Sequence, residues 1–304
     1  MVIHRVSARR KLRVVVLALT GFGNPVLKEL LADGRIQVKA VFTVRYSNPF
    51  PYYAEQQLGD LCKERRVLCY DGVKVTSDEG LRLLHSHSPD LIIVSTFKEI
   101  LTQPVLGEPS LGVVNIHPSL LPKYRGPCPT NAALLNNDKV TGVTIHYVTE
   151  KVDKGAVLLQ RATGISDIER DGDLRLKLAR LAGRMMPDLI DLFADFSRPC
   201  GRPQACSNAS LAPRMQAADG YLNPAEDFAA LRNRLRACYP LPGANVLFKN
   251  RKVQVNGCEL FHSNRAAGVV ESETMIEVVR PPEGIRFYKD LSQPERSLSS
   301  LTLS

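Results

Sequence analysis

Asn115 and His117 close the apolar run GVVNIH at 112–117. In a β-strand, side chains two residues apart face the same way at about 6–7 Å, so the strand presents an amide and an imidazole together. An Asn amide and a protonated imidazole can both donate to an oxygen that gains negative charge, which suits attack on a carbonyl carbon. Taken alone, the pair fits better with strand-end residues satisfied by backbone. Pro118 keeps His117 extended, and Pro122 with Gly126 shapes the loop that leaves the strand. Further on, TGVTIHYVTEKVDKGAVLLQ at 141–160 reads as strand, polar loop, strand, with Asp153 on the loop. A carboxylate there could reach back to orient the imidazole and favour its charged form, although by itself Asp153 is an ordinary turn residue. His146, on the first of these strands, fits both a site-facing and a backbone-bonded position and stays outside the candidate group.

These residues need a scaffold, and the chain before them supplies one. LRVVVLAL at 12–19 is a continuous apolar run of the kind buried on both faces of a parallel sheet. GFGNP turns the chain into the helical VLKELLAD, with Gly34 near its end, and VKAVFTV at 38–44 follows as a second strand. AEQQLGDLCKERR, VLCY, EGLRLLHSHS, DLIIVST and GVVNIH continue the alternation of helix and strand. That order predicts a doubly wound, mostly parallel, Rossmann-like α/β domain, which places Asn115 and His117 at the carboxyl edge where such sheets take ligands. The pattern predicts a last helix over DLRLKLARLAGRMMPDLIDLFADF, starting near Asp171 or Asp173 and kinked or joined at Pro187. GFGNPV lacks the third glycine of a dinucleotide fingerprint, and its glycines read as turn formers.

SRPCGRPQACSNAS at 197–210 reads as linker, and beyond it the pattern changes. PAEDFAALRNRLRACY predicts one helix, GANVLFKN with RKVQVNGCELF a hairpin, and AAGVVES and TMIEVV further strands, with LSSLTLS a frayed end. The expected organisation is therefore a catalytic domain over 1–196, a linker over 197–212 and a smaller β-rich domain over 213–304.

A length of 304 residues suits two domains, and 44% hydrophobic with 23% charged residues is ordinary for a soluble globular chain. Runs long enough to span a membrane are missing, the basic start lacks a clean cleavage site, and a cytoplasmic protein is expected. Seven cysteines without a CxxC pair do not read as a disulfide framework or a metal site. Net charge of +9 favours anionic partners such as a nucleotide, a polyglutamylated cofactor or RNA, but the 40 basic residues are spread along the chain.

The spaced set N-x-H-x-S-L-L-P-x-Y-x-G, then G-V-T-x-H and D-x-G, resembles the formyltransferases that use 10-formyltetrahydrofolate. LAPRM, ADGYLN and RACYPLPGA resemble the linker and the start of the small C-terminal domain of the methionyl-tRNA and several sugar formyltransferases, so that the β-rich region is expected to be OB-like and to serve acceptor binding or an accessory role. The resemblance covers residues 12 to about 260. It implies a catalytic group of Asn115, His117 and Asp153, and a signature loop that includes Ser119, Leu120, Leu121, Pro122 and Gly126. It implies a pterin pocket from 95–101 and the loop around Asp153, with Ser95, Thr96, Phe97, Ile100, Leu101, Val152 and Gly155 as binding residues. It implies 10-formyltetrahydrofolate as the formyl donor and no metal.

The resemblance implies an amine as acceptor. After the second strand the methionyl-tRNA enzymes carry a basic loop, whereas this chain has VRYSNPFPYYAEQQ with Arg45 as its only cation. Asn48, Pro49, Phe50, Tyr52 and Tyr53 resemble the corresponding segment of nucleotide-sugar formyltransferases, as do Lys123 and Tyr124. Asn48, Tyr52, Lys123 and Tyr124 are thus the expected acceptor contacts, with a nucleotide-linked amino sugar as acceptor. The alternatives are methionyl-tRNA, hydroxyornithine, and water in a formyltetrahydrofolate hydrolase, against which the C-terminal extension speaks.

Overall fold

LRVVVLA at Leu12–Ala18 forms β1, buried along its length except at Arg13. A computed structural model describes residues 10–45, 56–205, 207–248, 251–272, 274–280, 283–289 and 296–297. After β1 come α1 (Gly23–Ala32), β2 (Ile36–Thr43), α2 (Leu58–Glu64), β3 (Cys69–Asp71), α3 (Asp78–Ser86), β4 (Leu91–Ser95), α4 (Gln103–Leu106) and β5 (Val113–His117). Then follow α5 (Pro129–Leu135), β6 (Val140–Tyr147), β7 (Val157–Gly164), α6 (Asp171–Arg184) and α7 (Met186–Leu192). The sheet order is β3-β2-β1-β4-β5-β6-β7. β1 pairs in parallel with β2 and β4, β2 with β3 and β4 with β5, while β6 runs antiparallel to β5. The chain builds outward from β1 in one direction and from β4 in the other, so a crevice opens at the carboxyl ends of these central strands.

α1 starts at Gly23, ahead of the apolar VLKELLAD, and passes so close to β1 that a Cβ at Gly23 would lie 2.7 Å from Ala18 Cβ. The kink or junction expected at Pro187 separates two helices, α6 and α7, and Pro187, which lacks an N–H, sits in the first turn of α7. α3 follows its capping rule: Ser77 accepts from Gly80 N at 3.1 Å, and Asp78 and Glu79 occupy the first turn. The core of this sheet includes Val15, Phe42, Ile92 and Val94, joined by Leu101 and Val105 from the segment after β4.

The chain falls into two units: residues up to 125 with 142–163 and 175–210, and residues 126–141, 164–174 and 211–304. The second unit thus takes in two segments that precede the linker in sequence. Asn131 of α5 donates to Ala237 O at 2.7 Å, and Arg236 donates to Glu169 O and Ser166 O at 2.9 and 2.8 Å. Its remaining elements are β8 (Tyr221–Leu222), α8 (Phe228–Cys238), β9 (Ala244–Phe248), β10 (Arg251–His262), β11 (Gly268–Glu271), β12 (Met275–Arg280), β13 (Glu283–Lys289) and β14 (Arg296–Ser297). They form a second, largely antiparallel sheet around Phe228, Leu231, Val255, Ile276, Ile285 and Phe287. The LSSLTLS end lies outside the described residues.

Candidate active site

β5 delivers Asn115 and His117 to one side of the sheet edge, and the antiparallel register brings β6 alongside with His146 directly opposite Asn115. The 148–156 loop carries Asp153 to the same point. Asp153 Oδ1 lies 3.4 Å from Asn115 Nδ2 and 3.5 Å from His146 Nε2, and Oδ2 lies 3.6 Å from His117 Nδ1. The amide nitrogen of Asn115 is also 3.3 Å from His146 Nε2. Asn115 is half-buried, and the other three groups are nearly enclosed: the His117, His146 and Asp153 side chains are 5%, 2% and 11% exposed. The long separations leave space between polar atoms that a ligand can enter, as is common in ligand-free sites.

Backbone carbonyls fix both rings. His117 Nε2 lies 2.8 Å from Tyr124 O, and since a carbonyl only accepts, Nε2 carries the hydrogen. In the neutral ring, Nδ1 then holds a lone pair that faces the Asp153 carboxylate. His146 Nδ1 donates to Tyr147 O at 2.8 Å, which leaves its Nε2 to accept from Asn115. Burial lowers the His117 pKa below its ordinary value; Asp153 and the Tyr124 carbonyl oppose that shift and His146 adds to it. Asp153 thus favours the charged imidazole, but the desolvation of a nearly enclosed ring outweighs the carboxylate.

The signature loop is held from several sides. Thr144 Oγ1 donates to Ser119 O at 2.6 Å and accepts from Leu121 N at 3.1 Å, while Gln160 Nε2 donates to Leu121 O at 2.9 Å. Ser119 Oγ donates to Lys123 O at 2.6 Å. A Cβ at Gly142 would meet Arg161 O of the neighbouring β7 at 2.1 Å and Leu120 Cδ2 of this loop at 2.5 Å. The Leu121–Pro122 peptide is cis. Gly126, which belongs to the second unit, has φ +114° and would place a Cβ 2.8 Å from Ala212 O.

Strain gathers at this edge. Thr96, Tyr124 and Asp153 have φ of +54°, +61° and +50°, a region that non-glycine residues enter at a cost and that is concentrated at functional sites. Thr96 follows Ser95, whose Oγ is buried without a hydrogen-bond partner among the described residues. Glu99 anchors the segment after β4 by accepting from Val75 N, Thr76 N and Thr76 Oγ1 at 3.0, 3.1 and 2.6 Å. Gln103 ties it to the Asp153 loop by donating to Glu150 Oε1 at 3.0 Å. Leu101 is buried in the core and Phe97 packs against it, whereas Ile100 and Val152 are 76% and 56% exposed. A Cβ at Gly155 would lie 1.7 Å from Tyr147 O, so only glycine fits there.

Of the expected acceptor contacts, Asn48 and Tyr52 lie outside the described residues. Lys123 is exposed with its Nζ 5.2 Å from the Tyr124 ring centre, and the Tyr124 ring is buried. Arg45 is engaged by Asp60 and Asp71, with closest contacts of 2.6 and 2.7 Å. Sequence reasoning left His146 open and passed over Glu99, Gln204 and Ser210. His146 is the histidine of the G-V-T-x-H motif, and strand register is what sets it opposite Asn115. Among the described residues, no group of three or more His, Cys, Asp or Glu side chains is arranged to hold a metal ion, and no helix is long and apolar enough to cross a membrane.

Comparison with known proteins gives a consistent family. A family profile described as formyl transferase matches residues 31–190. The methionyl-tRNA formyltransferase of Thermotoga neapolitana is 30% identical over 254 residues, covering 81% of this chain and 79% of that protein. That of Syntrophus aciditrophicus is 38% identical over 175 residues, 58% of this chain and 56% of the relative. Among solved structures, an N-formyltransferase from Helicobacter canadensis in complex with folinic acid and dTDP-3-aminofucose aligns with a TM-score of 0.69 at 16% identity, covering 92% of this chain and 100% of that one. A sugar 3N-formyl transferase, WlaRD, in the presence of dTDP and 5-N-formyl-THF, aligns with a TM-score of 0.68 at 17% identity, covering 94% and 100%.

Proposed function

The chain belongs to the formyl transferase family, and from that premise we propose that it moves the formyl group of 10-formyltetrahydrofolate to the primary amine of a nucleotide-linked amino sugar. The observation that carries the catalytic assignment is the convergence of Asn115, His117 and Asp153 within 3.4–3.6 Å at the carboxyl edge of the sheet. The residues beside them suit a flat, polar co-substrate. Ser95 Oγ is a buried polar atom in want of a partner, and exposed Ile100 and Val152 offer apolar contact on the two segments that Gln103 joins. When bound, the folate supplies an activated formyl carbon.

The side chains divide the remaining work. Asn115 Nδ2, held only by long contacts, donates to the formyl oxygen as charge builds on it. Neutral His117 offers the Nδ1 lone pair, and with Asp153 Oδ2 it forms two acceptors converging where an amine N–H would enter. As the amine attacks, His117 takes its proton. The imidazolium then donates from Nδ1, is held by Asp153, and passes the proton toward the departing nitrogen. The C–N bond to the acceptor forms, the C–N bond to the folate breaks, and one proton moves between the nitrogens.

For the acceptor, Arg45 supports the sugar reading: its guanidinium is committed to Asp60 and Asp71, which removes the cation best placed to meet tRNA phosphate. Charged initiator tRNA is the second reading, favoured by the names of the curated relatives. The free thiols of Cys62, Cys69, Cys128, Cys200, Cys238 and Cys258 support a cytoplasmic setting. Replacing Asn115 or His117 with Ala is expected to cost on the order of 100-fold or more in formyl transfer, measured as release of tetrahydrofolate. Near-normal turnover in a folded variant would remove these residues from the reaction.

A further inference from the structure

The segment expected to be a plain linker runs along the catalytic loops. Arg202 and Val157 exchange backbone hydrogen bonds at 2.8 Å each, and a Cβ at Gly201 would meet Ala156 Cβ at 2.8 Å, so this stretch is laid tightly against the chain just after Asp153. Two residues further on, the Gln204 amide uses both of its ends. Its Nε2 donates to Asp153 O and Gly155 O, each at 2.8 Å, and its Oε1 accepts from Arg125 Nε and Nη2 at 3.1 and 2.7 Å. Two carbonyls on one side and a guanidinium on the other fix the amide orientation, because the reverse would face acceptor to acceptor and donor to donor. Arg125 is itself buried.

Ser210 completes the arrangement on the His117 side. Its Oγ accepts from Tyr124 N at 2.9 Å, its carbonyl accepts from Arg125 N at 2.9 Å, and its N–H donates to Pro122 O at 3.3 Å. Tyr124 is the residue whose carbonyl receives the His117 Nε2 hydrogen. Thus the two strained residues that aim the catalytic group, Asp153 and Tyr124, are each bonded through their own backbone to a residue of 204–210. A left-handed backbone at a non-glycine residue persists only where the surroundings over-determine it, and these bonds do so.

We propose that Gln204 is a positioning residue of formyl transfer: it fixes the Asp153 backbone and thereby sets the carboxylate opposite Asn115 and His117, while bracing the His117 loop through Arg125. This rests on the assignment of Asn115, His117 and Asp153 above. Glutamate in its place would still accept from Arg125 but would turn a charge toward two carbonyls and lose both donors. Alanine loses all four bonds.

The test is the imidazole titration of His117, followed by NMR in the full chain and assigned with His117→Gln. Asp153, from its loop, and His146, from β6, are the titratable groups facing this ring, and Asp153 raises its pKa. In Gln204→Ala a displaced carboxylate should lower the His117 pKa by about half a unit to one unit, and formyl transfer should fall roughly tenfold through misplacement alone. Gln204→Glu should behave the same way if the alanine variant folds poorly. In an Asp153→Asn background, Gln204→Ala should shift the titration no further, because the two residues act as one unit. An unchanged titration in a folded Gln204 variant, or an equal shift with and without the Asp153 carboxylate, would overturn the proposal. Full transfer activity in Asp153→Asn alone would instead strike at the underlying site assignment.

Discussion

A fully enclosed histidine beside a carboxylate pits two forces against each other, and in His117 the loss of water wins. With Nε2–H spent on Tyr124 O, the neutral ring exposes an acceptor at Nδ1, so the free enzyme is poised to take a proton. The pH dependence follows with a definite sign. Protonating His117 removes the base, so kcat/KM should fall as pH drops through the folded-state pKa, which lies below the ordinary 6.5. An acidic limb centred above that value would contradict the assignment. Stability moves in the same direction: between the folded pKa and 6.5 the unfolded chain binds the proton first, so stability declines as pH falls through that window. Denaturant melts of the wild type and His117→Gln across it should show a shallower decline in the variant. At this scale the sequence revealed Asn115, His117 and Asp153 through their types and spacing. It could not reveal that desolvation sets the charge of His117, because burial is a property of the packed site.

Elements position these groups, and here local pattern and long-range pairing contribute differently. The parallel strands were legible because buried strands read as unbroken apolar runs, and α3 because Ser77 and its acidic first turn mark a start. His146 was legible as the histidine of G-V-T-x-H, but its facing the site was not, because that depends on the β5–β6 register, and strand pairing is written in no short stretch. β13 escaped notice because Gly284 and Arg286 interrupt its apolar pattern, although Ile285 and Phe287 alternate with them and are buried. Glu99 gives this scale its own prediction. Its carboxylate accepts three hydrogen bonds that fasten the segment after β4 to residues 75–76. Glu99→Ala should loosen the expected folate segment and raise KM for 10-formyltetrahydrofolate by roughly tenfold, equivalent to about 1.4 kcal/mol. The effect on kcat should be smaller, and a variant with unchanged KM would show that the segment does not bind the donor.

At the scale of the molecule, net charge of +9 invites a nucleic-acid partner, but distribution matters more than the sum. Arg45, Arg35, Arg161 and Arg286 are all engaged by carboxylates, so these four cations are already matched within the chain. A nucleotide-linked sugar presents few phosphates, and its KM should change less than about tenfold between 50 and 200 mM salt, where a tRNA held through many phosphates would lose far more. The account is tested most directly by incubating the full chain with 10-formyltetrahydrofolate and a panel of dTDP-linked amino sugars, charged initiator tRNA and hydroxyornithine, and recording amine-dependent release of tetrahydrofolate. Turnover with an amino-sugar nucleotide is the predicted result; turnover confined to charged tRNA would contradict it.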